Sequence, residues 1–148
     1  MKRIVMMVIR MFFQVPYYVA RIWWCGVSKK ISYEKGFQIT QRATKKANRA
    51  GRVTIQAIGC ENLPEKNGFM LYPNHQGLFD VLVFLESCPK PFAFVIKKEA
   101  SKVILLKQVI AALGSISIDR KDLKQSMEVI NLVSEEIKKG RNFLIFPE

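Results

Sequence analysis

One histidine occurs in the 148-residue chain, His75, within the stretch LYPNHQGLFDVLVFLE (residues 71–86), and Asp80 follows it five positions later. A neutral imidazole takes a proton through one ring nitrogen when the other donates to a group that fixes its tautomer. A carboxylate does this and also stabilises the imidazolium that forms. No serine occupies a nucleophile elbow in the sequence, so the pair lacks the nucleophile of a triad. The chemistry left to it is general-base activation of a hydroxyl that the substrate brings, which is transfer of an acyl group onto an alcohol. The loose and common spacing by itself favours a plainer reading, in which His75 closes a turn and Asp80 caps the helix after it. Spacing alone leaves both standing.

Zinc chemistry is a poor fit. Cys25, Cys60 and Cys88 are widely spaced, form no C-x-x-C, and have one histidine to join them, short of a usual zinc ligand set. Reduced thiols in a core are expected. Cys25, beside an apolar segment, offers only a weak lipid-attachment signal.

The elements that must position the pair lie in residues 52–148. RVTIQAIG alternates and is β-branched, which predicts a strand, and GFMLYPN predicts a second that ends in a Pro-Asn turn. GLFDVLVFLES reads as a helix stopped by Pro89, PFAFVIK as a short buried strand, and EASKVILLKQVIAALG as a helix closed by Gly114. SISID is another strand. DLKQSMEVINLVSEEIKKG is the clearest helix, with Asp122 at its start and Leu123, Met127, Ile130, Val133 and Ile137 expected on its buried face. NFLIFPE is the last strand. Strands alternating with helices predict an α/β domain with a largely parallel sheet covered on both faces. Chemistry in such sheets gathers where strands end and helices begin, and residues 74–77 fall there.

Charge divides the chain differently. Residues 1–52 hold 12 Lys and Arg against one acid, Glu34, whereas residues 53–148 hold 12 against 11. Within the opening MKRIVMMVIRMFFQVPYYVARIWWCG, the stretch Ile4–Trp24 has the ~20-residue length of a bilayer span. Arg10, Gln14, Pro16 and Arg21 interrupt it, and a mid-membrane arginine costs about 2.5–3.5 kcal/mol on insertion scales. No small-residue cleavage site of a signal peptide follows. Arg3, Arg10, Gln14, Tyr17 and Arg21 recur at offsets of one helix face, with Ile, Val, Met, Phe and Trp around them. A helix lying in the headgroup region is the reading favoured over a single span or a buried soluble helix, with Pro16 kinking or dividing it. Residues 37–50 read as a second amphipathic helix closed by Gly51, with Arg42, Lys45, Lys46 and Arg49 on one face. Residues 1–51 are therefore expected to anchor the domain at 52–148 to a bilayer. Nucleic acid is excluded as a partner, because the aromatics cluster with aliphatics and are not interleaved with basic residues as stacking platforms.

The blocks NHQGLFD (residues 74–80), KKE (97–99), GSISIDR (114–120) and FPE (146–148) resemble, in order, the motifs of the glycerolipid acyltransferases, specifically the lysophosphatidate (1-acylglycerol-3-phosphate) acyltransferase family. The resemblance covers residues 53–148. It implies that His75 deprotonates the free hydroxyl of lysophosphatidate, which attacks the thioester of acyl-CoA or acyl-carrier protein, with Asp80 orienting His75. It further implies that Arg120, with Lys97 or Lys98, holds the acceptor phosphate, that Asn74 and Gly77 line the substrate, and that Gly114, Asp119 and Glu148 support the site. Asp119 is expected to pin Arg120 or a turn, not to react. No metal or cofactor is implied beyond the acyl donor, and a membrane-associated location on the cytoplasmic face follows. Three departures stand out: Ala100 replaces a leucine, Ser117 replaces a common phenylalanine, and the family pattern continues with Gly-Thr-Arg where the sequence ends at Glu148. A fragment of a longer protein is the expectation. A non-catalytic membrane-binding remnant, and an enzyme for another lysophospholipid or glycerol 3-phosphate, are the rival readings.

Overall fold

The computed structural model describes residues 2–28, 30–77, 79–102 and 104–147. Four strands, β1 (Met70–Leu71), β2 (Ala93–Lys97), β3 (Ile116–Ile118) and β4 (Phe143–Ile145), form one parallel sheet in the order β1-β4-β2-β3. Among the described residues six α-helices accompany it: α1 (Lys2–Arg10), α2 (Val15–Val27), α3 (Tyr33–Ala50), α4 (Phe79–Ser87), α5 (Ile104–Ala112) and α6 (Leu123–Lys138). The α/β fold with a parallel sheet is thus the one the alternation predicts.

Successive side chains on a strand point to opposite faces, so a sheet covered twice needs apolar residues at every position. Phe92 and Phe94 enter a core with Phe37, Leu85, Cys88, Leu113 and Leu144 on one face. Ala93 and Val95 join Ile118, Val129, Val133 and Phe143 on the other. Helix α6 covers this second face. The first is walled by α3, α4 and α5. Phe37 of α3 meets Phe92 edge-on, ring centroids 5.2 Å apart, so the charge boundary near residue 51 is not a packing boundary.

Close approach is what fixes α3 on α5. A Cβ at Gly36 would lie 2.0 Å from the carbonyl oxygen of Ala112, and one at Gly26 in α2 would lie 2.7 Å from Cβ of Ala111. Helix α5 ends in a residue of positive φ, Gly114 at +60°, as its C-terminal position predicts.

Three expectations need correction. Residues 53–59 form no ladder among the described residues, although Val53 and Ile55 are half-buried and Thr54 and Gln56 exposed in the expected alternation. Alternation fixes which side chains turn inward, but a strand also needs a backbone edge beside it. Here the chain leaves α3 through Arg52 at positive φ, and Ile58 is 87% exposed. On α6, Val129 and Val133 are buried while Leu123 is 80% exposed and Met127 and Ile130 are also outside. Gln125 and Ser126 bond to the end of β3, and these bonds set a rotation of the helix that its apolar spacing does not specify. Finally, two arginines of the N-terminal stripe, Arg3 and Arg10, bond to the protein, while Arg21 stays exposed beside Tyr17 on α2. Helices α1 and α2 meet at 93° across residues 11–14. Arg3 donates to the carbonyls of Gly51 and Arg52, and Arg10 donates to that of Ala50 at 3.0 Å. Both arginines thereby serve the open C-terminus of α3, where cations are favoured. Met7 and Met11 are buried beside them.

Candidate active site

All four strands run the same way, so their C-terminal ends share one edge of the sheet. His75 follows β1, Lys97 ends β2 and Lys98 follows it, Asp119 and Arg120 follow β3, and Phe146 follows β4. The topology alone brings these positions, up to 71 residues apart (75 to 146), to one rim.

His75 and Asp80 are joined. The imidazole Nδ1–H donates to Oδ2 of Asp80 at 3.1 Å, with side-chain exposures of 33% and 26%. The same oxygen accepts the backbone N–H of Gln76 at 2.6 Å and of Gly77 at 3.0 Å. Asp80 therefore does both things open to it from spacing: it ties the turn before α4 and orients the imidazole. The two amides, Gln76 before Gly77, and then His75 hold its carboxyl below the ordinary aspartate value. Nε2 of His75 has no hydrogen-bond partner among the described residues. The imidazole packs on Phe146, ring centroids 4.2 Å apart and planes inclined by 31°. Phe84 and Phe94 back the phenyl ring at 6.1 and 6.5 Å. This aromatic floor fixes the plane in which Nε2 points.

Phe146 also links His75 to the next candidate, since its carbonyl accepts from Arg120 Nη2 at 3.0 Å. Arg120 is exposed. Lys98 is engaged elsewhere: its ammonium lies 2.9 Å from Oδ2 of Asp119. This contact raises the lysine and lowers the aspartate from their ordinary values. Asp119 thus pins Lys98, and through its other oxygen the N–H of Lys121 at 3.1 Å, instead of Arg120. Lys97 is exposed at the end of β2, and Asn74 is exposed before His75. A Cβ at Gly77 would meet nothing within 4 Å, so the chain itself does not demand glycine there, and open space lies beside the turn.

One supporting candidate falls elsewhere. Gly114 precedes β3, at the opposite end of the strand from the rim, and its carbonyl accepts from Arg141 at 2.9 Å; it shapes a helix end and touches nothing at the site. Glu148 lies outside the described residues. Sequence reasoning missed Gln125 and Ser126, whose side chains bond to Ser117 and Asp119. The only advance signal was their place in the first turn of α6, immediately after the Asp119–Arg120 pair. Among the described residues no cluster of metal-ligating side chains occurs.

A family model described as Acyltransferase matches residues 54–148. The chain is 25% identical over 96 residues to a 1-acyl-sn-glycerol-3-phosphate acyltransferase of Borreliella burgdorferi, covering 65% of this chain and 38% of the relative. It is 29% identical over 95 residues to a chloroplastic enzyme of that name from Arabidopsis thaliana, covering 64% and 26%. A Saccharomyces cerevisiae enzyme of the same name is 27% identical over 95 residues, covering 64% and 31%. The chain thus spans between a quarter and two-fifths of the length of these relatives. No solved structure matches it. With the family match spanning most of the chain and the candidate residues gathered at one sheet edge, the protein belongs to the acyltransferase family, among relatives named as 1-acyl-sn-glycerol-3-phosphate acyltransferases.

Proposed function

We propose that the protein transfers a fatty acyl group from acyl-CoA or acyl-carrier protein to the free hydroxyl of lysophosphatidate, giving phosphatidate at a membrane surface. The observation that carries this reading is the His75–Asp80 contact, which leaves Nε2 free, joined through Phe146 to the guanidinium of Arg120. Nε2 takes the hydroxyl proton as the oxygen attacks the thioester carbonyl. The ester C–O bond forms, the C–S bond breaks, and the imidazolium returns its proton to the departing thiolate. The Asp80 carboxylate stabilises the imidazolium between these events. Arg120 holds the acceptor phosphate, for which a planar guanidinium is suited. Lys97 joins it from β2. Lys98 serves the phosphate only after giving up Asp119, so its role is to hold that loop.

The bilayer partner is supported by the surface of α1 and α2. Ile4, Val5, Val8, Ile9 and Phe12 are exposed, and Phe13 is 91% exposed. Tyr17, Trp23 and Trp24 continue the surface on α2. Contiguous apolar surface of this kind is rare on proteins surrounded by water, and aromatic residues favour the headgroup layer. No single helix among the described residues is long and apolar enough to cross a membrane, although the bent pair α1–α2 passes that test jointly. We take the pair to lie in one leaflet, on the cytoplasmic face, where soluble acyl thioesters are supplied.

The test is acyl transfer by the longest reading frame that contains the chain, with lysophosphatidate, glycerol 3-phosphate, other lysophospholipids and monoacylglycerol as acceptors. Preferential acylation of lysophosphatidate is the expected result. Preference for an acceptor without phosphate overturns the phosphatidate reading, and no transfer to any acceptor favours the membrane-binding remnant.

A further inference from the structure

Strand β3 is an outer strand of the sheet, so one edge of its backbone has no neighbouring strand among the described residues. The side chain of Gln125 takes that place. Its Nε2 donates to the carbonyl of Ser117 at 3.1 Å, and its Oε1 accepts the N–H of Asp119 at 2.8 Å. One amide thus supplies the donor and acceptor that a further strand would offer. The clamp continues along the turn. The Asp119 carbonyl accepts from Oγ of Ser126 at 2.9 Å and from the N–H of Asp122 at 3.1 Å. With Lys98 and Lys121 on its carboxylate, every polar group of Asp119 is held by the protein. The next residue is Arg120. Its side chain is long and exposed, and its one hydrogen bond among the described residues goes to the Phe146 carbonyl. The direction in which it leaves the backbone is set by the clamp.

We propose that Gln125 is a positioning residue, which fixes the Asp119–Arg120 backbone so that the guanidinium meets an acceptor phosphate. This rests on the function proposed above. A displacement of about 1 Å at a binding group is enough to cost up to ~100-fold in rate, and on this edge the Gln125 amide holds the backbone in place of a neighbouring strand. A purely structural Gln125 would stabilise α6 against the sheet without reference to Arg120.

The two roles separate in a double-variant comparison. Gln125→Met keeps length and helix propensity, and it keeps the backbone N–H that Asp122 accepts at 3.0 Å, so α6 retains its cap. The full chain is prepared unaltered, as Gln125→Met, as Arg120→Ala and as both. Expected is a rise of about tenfold in the apparent KM for lysophosphatidate in Gln125→Met, larger than any change in kcat, and no further rise when Arg120 is already alanine. The Asp119 amide should also lose protection from hydrogen exchange. Equal effects with and without Arg120, or an unchanged KM beside an unprotected amide, overturn the proposal. Should the unaltered chain turn over no acceptor, the functional reading fails by itself, and affinity for inorganic phosphate decides the present one. Weakening by Gln125→Met only while Arg120 is present supports positioning; no weakening overturns it.

Discussion

Asp80 shows how one oxygen carries two tasks. Because the amides of Gln76 and Gly77 both point at Oδ2, an asparagine at this position keeps its carbonyl oxygen there, and the turn and the Nδ1–H tautomer survive. What is lost is the charge facing the imidazolium. Exchanging a charge-assisted hydrogen bond for a neutral one is worth about 1–2 kcal/mol, roughly a tenfold loss in turnover. His75→Ala removes the proposed base and should cost about 10²–10⁴-fold. Steady-state kinetics, with circular dichroism to confirm folding, should therefore rank His75→Ala well below Asp80→Asn. The same carboxylate predicts a pH effect. Its folded value is depressed by the two amides and His75, so the stability it contributes is complete above the ordinary aspartate value of 3.8 and is lost as pH falls through the depressed one. Asp119, held by Lys98, and Glu136, held by Lys139 and then Arg141, act in the same sense. The unfolding temperature should drop on acidification below about pH 4, and less steeply in Asp80→Asn. An equal slope in both proteins would remove Asp80 from this account. The His75–Asp80 contact was legible in the sequence from the two residue types and their spacing, whereas Arg120 entered only through the resemblance of residues 114–120 to the family motif. Phe146 as the floor of the imidazole was not, since a phenylalanine in an apolar run reads the same whether it packs a core or a base.

Among the elements, the strands and helices around the sheet were legible where periodicity and stop signals agreed, as in β2 with its unbroken apolar run and in α6 with Asp122 and Lys138 at its ends. Residues 53–59 were misread because alternation encodes a face and not a partner. The rotation of α6 was misread because two polar side chains, not the apolar stripe, dock its first turn. Sequence also gave no warning of how closely α3 lies on α5. With the Ala112 carbonyl 2.0 Å from where a Cβ would stand, Gly36→Ala forces the helices apart. Overpacking of this kind costs about 1–3 kcal/mol. Thermal unfolding should show the loss in Gly36→Ala, and an unchanged midpoint would mean that the contact relaxes without cost.

For the molecule as a whole, the turned-in arginines change what a membrane would meet. Arg3 and Arg10 are spent on the last carbonyls of α3, and Arg21 donates to Tyr17 at 2.7 Å. The outward surface of α1 is left apolar. The free positive charge sits instead on α3, where Arg42, Lys46 and Arg49 are exposed, with the Lys46 ammonium 5.6 Å from the Tyr18 ring centroid of α2. On the bilayer reading proposed above, apolar insertion and attraction to anionic headgroups would be carried by different helices, and they should separate by mutation. Phe12→Ser with Phe13→Ser should weaken partitioning into neutral and anionic vesicles alike, because burying an aromatic side chain is worth about 1.5–3 kcal/mol whatever the lipid charge. Arg42→Glu with Arg49→Glu should leave neutral vesicles unaffected and abolish the preference for anionic ones, at about 1 kcal/mol per basic residue near the surface. Arg10→Leu should lower the unfolding temperature by uncapping α3, with little effect on lipid preference. Co-sedimentation with vesicles of phosphatidylcholine alone, and mixed with an anionic phospholipid, reads all three. If Arg10→Leu instead removes the anionic preference, the arginine faces lipid and the inward packing of α1 is not the membrane-bound arrangement.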